Sequence, residues 1–478
     1  MTALSYRVLR PAALFLLLPL VSATPSKPTK PAAHVAAMPL QGAKPDPQVI
    51  AQFGLYNSPK LQAYITQQGK RMTAISDRPG DYGFTIVDSP VINAFATPDG
   101  HVYFTRGIMA YFNDEAQFTG VLGHELGHIT AQHGKKQQRN SILSSILVGV
   151  ATIASPNLLG RIAQPAAQLV SLKYSRGDEN EADQLGVKYS TKVGYDASHM
   201  ANFFQTLERT EAQSGSSTPT FLSTHPNSAD RYQRVKQLAA QAQQSLGKRT
   251  LTVNRDSYLR SIEGLPFGED PRQGFVENSV FYHPDLKFRF PIPSGWKSQN
   301  SPEQFQMAEP NGKALLAFLG VPGTTLEEGA QTLAKQIGVT PGNAQRTTIN
   351  GFPALVLEGD QQASQDQQST PAHVQAYIIQ DGKSMFAFVG LATAATFGTY
   401  APQFASAAQG YQRLTEASKL NRQAERVHIK QVKTATILSQ ALTANGVPSK
   451  RLEEEAILNG MQLTDRLPAG TLFKVIGQ

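Results

Sequence analysis

Two histidines one helical turn apart, with a glutamate between them, constrain this chain more than any other feature. In Val121-Leu-Gly-His-Glu-Leu-Gly-His-Ile129, a helix would set His124 and His128 on one face, with Glu125 leaning over the space beside them. Two neutral imidazoles at that spacing can hold one metal ion, and the ligand set favours zinc, one per chain. A zinc with three protein ligands keeps a fourth position for water, whose pKa falls to roughly 7. Glu125 can then take the proton as general base and pass it to a departing amine. The chemistry expected of such a stretch is metal-assisted hydrolysis of a peptide bond.

The flanking residues say that the stretch is helical. Asp114-Glu-Ala-Gln117 reads as a capping box, and Phe118, Val121, Leu122 and Leu126 follow at helical spacing. Gly120, Gly123 and Gly127 form a stripe along it. Each costs about 1 kcal/mol in a helix interior, so the stripe predicts a second backbone packed close. Further on, Glu179 and Asp183 stand at i and i+4 within Tyr174–Tyr189. Sharing a helical face, the first can ligate the metal while the second orients a ligand histidine from behind. Glu181 points elsewhere. Without the first motif, the same residues would read as an acidic surface face.

The chain has 478 residues, 40% of them hydrophobic and 17% charged, too many for one ordinary domain. Its net charge of +8 is scattered along the sequence, which favours weak contact with anionic envelope lipid or cell wall. No aromatic-basic pattern points to nucleic acid. Residues 1–23 read as a secretory signal: Arg7 and Arg10, an apolar Ala12–Leu20, then Val21-Ser-Ala23 for cleavage. Cysteine is absent, so the chain offers neither a disulfide nor a lipid-acceptor thiol. A periplasmic or secreted, possibly membrane-peripheral location is the expectation. Residues 24–47, rich in Pro, Ala and Lys, read as a linker.

A first folded domain is expected over residues 48–245. A helical pattern (Val49, Phe53, Leu61, Tyr64, Ile65) leads into strands at Gly83–Asp88, Val91–Ala96 and His101–Thr105, the last two joined by a turn at Pro98-Asp-Gly100. The strand carrying Asn93 and Ala94 is either an exposed edge that binds an extended peptide by backbone pairing, or an ordinary paired strand. Ser141–Val170 is apolar and rich in small residues, and reads as a buried helix or as a flap that touches lipid; its longest unbroken run is below membrane-spanning length. His225 precedes a helix at Ser228–Arg234, where capping and ligand roles are both open. Arg231 can bind the substrate carbonyl or the oxyanion, or pair with a nearby carboxylate.

Together, Asn93-Ala-Phe-Ala96, His124-Glu-Leu-Gly-His128, Ser175-Arg176, Glu179-Asn-Glu-Ala-Asp183, Thr224-His225-Pro226 and Arg231 resemble the M48 peptidase family. That family includes secreted bacterial envelope proteases and membrane-bound CAAX-processing and stress-response zinc peptidases. The resemblance covers roughly residues 48–245. It implies His124, His128 and Glu179 as zinc ligands, Glu125 as the catalytic base and Asp183 behind a ligand. In similar envelope members the histidine matching His225 lies over the cleft and can take the metal's open position, which would make His225 a switch. The long spanning helices of membrane members are not found here, nor is the tetratricopeptide period of about 34 residues that many envelope relatives carry.

Beyond about Ser245 the pattern changes. A connector (246–275) leads to an accessory domain (276–422) with strands from Phe281 onward, at Lys313–Val321, Pro353–Glu358, His373–Gln380 and Ser384–Leu391, and helices near Leu326–Ile337 and Gln403–Ser418. Its opening resembles small α/β modules of the photosystem-subunit and Ran-binding type, with His283 and Trp296 as packing residues. Residues 424–478 run strand, helix, helix, strand and resemble a degenerate LysM cell-wall module, with Lys433-Thr434-Ala435 in place of the usual Gly-Asp-Thr. The expected fold class is α+β: a mainly helical zincin-type peptidase domain with a small edge-strand sheet, an α+β accessory domain, and a small βααβ module. The expected activity is a zinc endopeptidase of the bacterial envelope acting on unfolded or misassembled protein, with outer-membrane assembly machinery or peptidoglycan as further partners. Two other readings stand beside it: a chaperone or assembly factor whose metal site is held shut by His225, and a structural cell-wall anchor.

Overall fold

The computed structural model describes residues 44–134, 174–214, 220–225, 230–247, 249–340, 344–360 and 372–478. The expected signal, most of the linker and Ser141–Val170 lie outside these residues. In chain order the first elements are α1 (Pro47–Phe53), α2 (Pro59–Thr73), β1 (Gly83–Val87), β2 (Ala94–Ala96), β3 (His101–Thr105), α3 (Arg106–Tyr111) and α4 (Glu115–Thr130). Then come α5 (Arg176–Lys192), α6 (Ser198–Ser214), α7 (Thr220–Thr224), α8 (Arg231–Ser245) and α9 (Arg255–Ser261). The helical pattern from Val49 to Ile65 is two helices, because Gly54 turns the chain at φ 72° and Pro59 opens the second.

β3 is the central strand, parallel to β1 and antiparallel to β2. The expected hairpin is present and β2 lies at the sheet's edge, but that edge is not exposed. Asn93 is 3% and Ala94 0% exposed, and Phe221 of α7 donates its N–H to the Ile92 carbonyl at 3.0 Å. A neighbouring backbone thus meets the chain just ahead of this strand.

The glycine stripe does what close packing requires. A Cβ on Gly123 would lie 2.9 Å from the Gly186 carbonyl oxygen, and one on Gly127 would lie 3.1 Å from the Ala182 Cα, both on α5. Gly186 returns the contact, since its own Cβ would meet the His124 nitrogen at 2.9 Å. Two helix backbones therefore touch, and the first turns of α5 come to rest beside the histidines of α4. Gly120 makes room for a side chain instead, that of Met200 on α6. The capping box is half as expected: Asp114 accepts the Gln117 N–H at 2.7 Å, while the Gln117 side chain accepts from Asn113, one residue too early, at 2.9 Å. α8 begins at Arg231, and the expected start at Ser228 lies outside the described residues.

The expected connector is partly core. α9 sends Tyr258 and Leu259 into the apolar cluster that holds Phe118 and Leu122, and Ile262 and Leu265 follow. The chain leaves this body at Pro266–Phe267 and comes back at Glu425–Arg426, and the two segments pair antiparallel in one sheet with the closing strand Leu472–Gly477. Val427, Leu458, Leu472 and Ile476 join the same cluster. Lys474 is fully buried and donates to the carbonyls of Ala110 and Phe112, at 2.8 and 3.2 Å, at the end of α3. The C-terminal segment, with helices Leu438–Ala444 and Leu452–Leu458, is thus packed into the body that carries the metal motif.

Between those paired strands sits the accessory region. Its centre is a seven-stranded antiparallel sheet in the order Ala344–Ile349, Phe352–Asp360, Ala372–Asp381, Ser384–Thr393, Ala314–Gly320, Gln304–Ala308, Lys297–Asn300. The helix Leu326–Ile337 packs on one face, and the helix Phe397–Gln409 with strands Val280–His283 and Phe288–Pro291 packs on the other. The second helix starts six residues before the expected Gln403 and runs through Pro402. Trp296 meets Tyr400 and Phe404 edge-on, and burial lowers the His283 pKa to about 4; both are packing residues, as expected.

Candidate metal centre

Contact between α4 and α5 brings four side chains to one point. His124 and His128 of α4, Glu179 in the first turn of α5 and His225 after α7 each offer a ligand atom within 4.8 Å of the others, and all four are buried. His124 Nε2 lies 3.1 Å from His128 Nε2, 3.2 Å from His225 Nδ1 and 3.5 Å from Glu179. Glu179 lies 3.5 Å from His128 Nε2 and 3.0 Å from His225 Nδ1. Bonds of about 2.1 Å arranged as a tetrahedron would set donors about 3.4 Å apart. The spacing fits a small tetrahedral cation. Glu179 owes its place to a capping box, in which Ser175 accepts the Asp178 N–H and the Asp178 side chain accepts the Ser175 N–H, starting α5 one turn before the donor is needed.

Behind the donors lies a set of carboxylates and guanidinium groups. Asp183 Oδ1 is 3.0 Å from His124 Nδ1, which holds that ring with Nε2 toward the donors. Of the roles left open for Arg231, the geometry shows pairing: its Nη2 donates to Asp183 at 2.8 Å and lies 3.1 Å from Glu179, while its guanidinium stacks 4.0 Å over Phe204. With a side chain only 1% exposed, it faces carboxylates rather than a substrate carbonyl. Arg234 adds a second donor to Asp183 at 2.8 Å. His133, which the motif reading passed over, is buried with Nδ1 2.9 Å from His128 Nδ1. The only sequence sign of it is a third histidine five residues after His128.

Charge and burial set the protonation states. Burial lowers the His128 pKa well below its ordinary value, with His124 and His225 adding to the effect, so the imidazole is neutral and able to ligate. For Glu179 burial acts upward, but His225, His124 and Arg231 outweigh it and hold the carboxyl low. Asp183 is likewise depressed, by Arg231 and His124 against burial. Glu125 goes the other way: burial raises its pKa, and His225 and His124 offset only part. Among the described residues, both of its carboxylate oxygens and His225 Nε2 find no hydrogen-bond partner, a cost of roughly 1–3 kcal/mol per group in a protein interior. Unpartnered polar atoms beside converging ligand atoms are what a metal-binding centre leaves when described through its protein atoms alone. Tyr174 lies flat on His128, with ring centroids 3.8 Å apart. A narrow cleft of about 10 Å³, space for roughly one water, opens between Ala96–Pro98 at the end of β2 and the His128–Tyr174 pair. Asn93 and Ala94 lie further back along the same edge, buried.

A His-Glu-x-x-His helix crossed by a glutamate helix defines the metallopeptidase class. Residues 59–239 match the profile described as "Peptidase family M48". Among curated relatives, the beta-barrel assembly-enhancing protease of Yersinia pestis is 32% identical over 195 residues, covering 37% of this chain and 39% of its own. Its namesake in Escherichia coli O157:H7 is 26% identical over 314 residues, covering 62% and 58%. The metalloprotease YcaL of Escherichia coli K12 is 29% identical over 207 residues, covering 40% of this chain and 79% of its own length. The chain thus spans roughly two fifths to three fifths of the assembly-enhancing relatives.

Proposed function

We propose that this chain is a zinc-dependent endopeptidase of the bacterial envelope that cleaves unfolded or misassembled protein. The observation that carries the reading is the convergence of His124, His128 and Glu179 beside an unpartnered, buried Glu125. Zinc held by these three groups supplies Lewis acidity toward a peptide carbonyl and toward the attacking water. The chain's own residues do the rest. Glu125, with its pKa raised by burial, accepts a proton at a carboxylate oxygen and returns it to the departing amine. Asp183 keeps the His124 ring in register, and Arg231 neutralises the paired carboxylates behind the ligands, acting as a positioning residue. A narrow cleft lies next to His128 at the end of β2, and we assign substrate pairing to this edge, with Ala94 on the strand and Asn93 just before it.

A second reading has its own support. His225 puts Nδ1 among the donors and Nε2 3.6 Å from Glu125, so its ring takes up space that a substrate carbonyl and water would need. We take this as a resting form that His225 holds shut, consistent with slow, conditional proteolysis or with an assembly role. Casein and a misfolded outer-membrane protein, each incubated with zinc-loaded full chain, separate the readings. Cleavage by wild type should fall roughly 10²- to 10⁴-fold in Glu125→Gln and rise in His225→Ala. Equal cleavage by wild type and Glu125→Gln would overturn the peptidase reading, and none by either wild type or His225→Ala would leave only the assembly role.

A further inference from the structure

We propose that His133 is the positioning residue of His128, accepting a hydrogen bond from its Nδ1 and so holding its Nε2 toward the metal position. The inference rests on the metal-centre reading above. His128 Nε2 is the atom that faces the other donors, 3.1 Å from His124 and 3.5 Å from Glu179. A neutral imidazole that offers the Nε2 lone pair must carry its proton on Nδ1. That N–H meets His133 Nδ1 at 2.9 Å. His133 can accept there if its own proton sits on Nε2, and Nε2 faces two carboxylates, Glu181 at 3.2 Å and Asp178 at 3.5 Å. Donors and acceptors therefore alternate without conflict along one row: carboxylate, His133, His128, metal position.

The backbone is shaped to make this contact. α4 ends at Thr130, and Gln132 adopts φ 58°, a left-handed conformation that side chains other than glycine rarely take. Its N–H returns to the Ile129 carbonyl at 3.1 Å, and the turn folds the next residue back along the helix end. There the His133 ring meets the His128 ring edge-on, with centroids 5.0 Å apart at 75°. His133 is 1% exposed, whereas the Glu181 side chain at the far end of the row is half-exposed. His124 Nδ1 meets the buried Asp183 carboxylate directly, whereas His128 Nδ1 meets an imidazole whose far nitrogen faces the carboxylates.

Zinc affinity of the full chain, measured by competition with a chromophoric chelator beside the urea midpoint of the metal-free protein, tests this. His133→Phe keeps a ring and removes the acceptor; His133→Asn keeps an acceptor and removes the ring. The positioning role predicts that Phe weakens zinc binding roughly 10- to 100-fold while Asn stays close to wild type. Equal affinities in all three chains, or a larger loss in Asn than in Phe, would overturn it and leave a packing role. Should the Phe chain not fold, His133→Ala takes its place: Asn binding zinc at least tenfold more tightly than Ala supports the proposal, and equal binding overturns it. Wild type that takes up no zinc would instead remove the metal-centre reading, and this inference with it.

Discussion

The two parts of this chain bury opposite kinds of side chain. Where α4, α5 and α8 meet, His124, Glu125, Asp183, His225 and Arg231 are each 1% exposed or less. On the seven-stranded sheet the equivalent depth is filled by Phe290, Phe318 and Phe388 on one face and Leu333, Ile378 and Val389 on the other. Apolar burial is favourable outright, at about 25 cal/mol per Å². Burying charge costs several kcal/mol per ion before pairing repays it. The metal-motif body therefore spends stability on a site, and its folding should answer to partners, metal and packing between α4 and α5. The sheet should be indifferent to all three.

The largest expected effect comes from removing the cation behind the site. Arg231→Met takes the buried guanidinium from Glu179 and leaves Asp183 with Arg234 and His124, which should cost about 3–5 kcal/mol. Calorimetry of the full chain would show the metal-motif body melting earlier with the sheet's transition unmoved; a common drop in both would break the contrast. Chelation comes next. Free zinc at a hundredfold over Kd stabilises by about 2.7 kcal/mol, so chelator should lower only the first transition by that amount.

Two glycines separate the regions further. A Cβ on Gly127 would press on the Ala182 backbone at 3.1 Å, and one on Gly390 would press on the Phe404 ring at 2.4 Å. Each alanine variant should lose roughly 1–3 kcal/mol of stability, but only Gly127→Ala should also weaken zinc binding, because only that contact sets the distance between ligands. The smallest effect lies in the C-terminal segment. Burial raises the Glu455 pKa to about 7 from an ordinary 4.5. A carboxyl raised in the folded state contributes stability below its unfolded pKa and loses it as pH climbs through the folded value. Glu455→Gln should therefore raise the thermal midpoint at pH 8 and leave it nearly unchanged at pH 4.

The centre was more legible in the sequence than the body around it. The spacing of His124 and His128, the glycine stripe and the i, i+4 pair Glu179 and Asp183 all rest on helical periodicity, a local property, and the structure brings these residues together. His133 escaped because its approach depends on one left-handed residue, Gln132, that no periodicity marks. The burial of Asn93 and Ala94 was unreadable for another reason: the helix that meets the chain beside them, through the Phe221 N–H and the Ile92 carbonyl, lies over a hundred residues away. The return of Leu472–Gly477 to the first body likewise depends on long-range pairing with Glu425–Gln431 and on Lys474 reaching α3, contacts without a local signature. Strands of the accessory sheet were found where they alternate or run apolar, as at Ala314–Gly320, and missed where they are polar edges, as at Lys297–Asn300.

The proposed activity depends on α4 and α5 together gripping one metal ion. Elemental analysis of purified full chain after zinc loading and gel filtration tests this most directly, run on wild type, Glu125→Gln and Glu179→Ala. It predicts one zinc per chain in the first two and a large loss in the third. Wild type free of zinc, or Glu179→Ala holding as much as wild type, would contradict it.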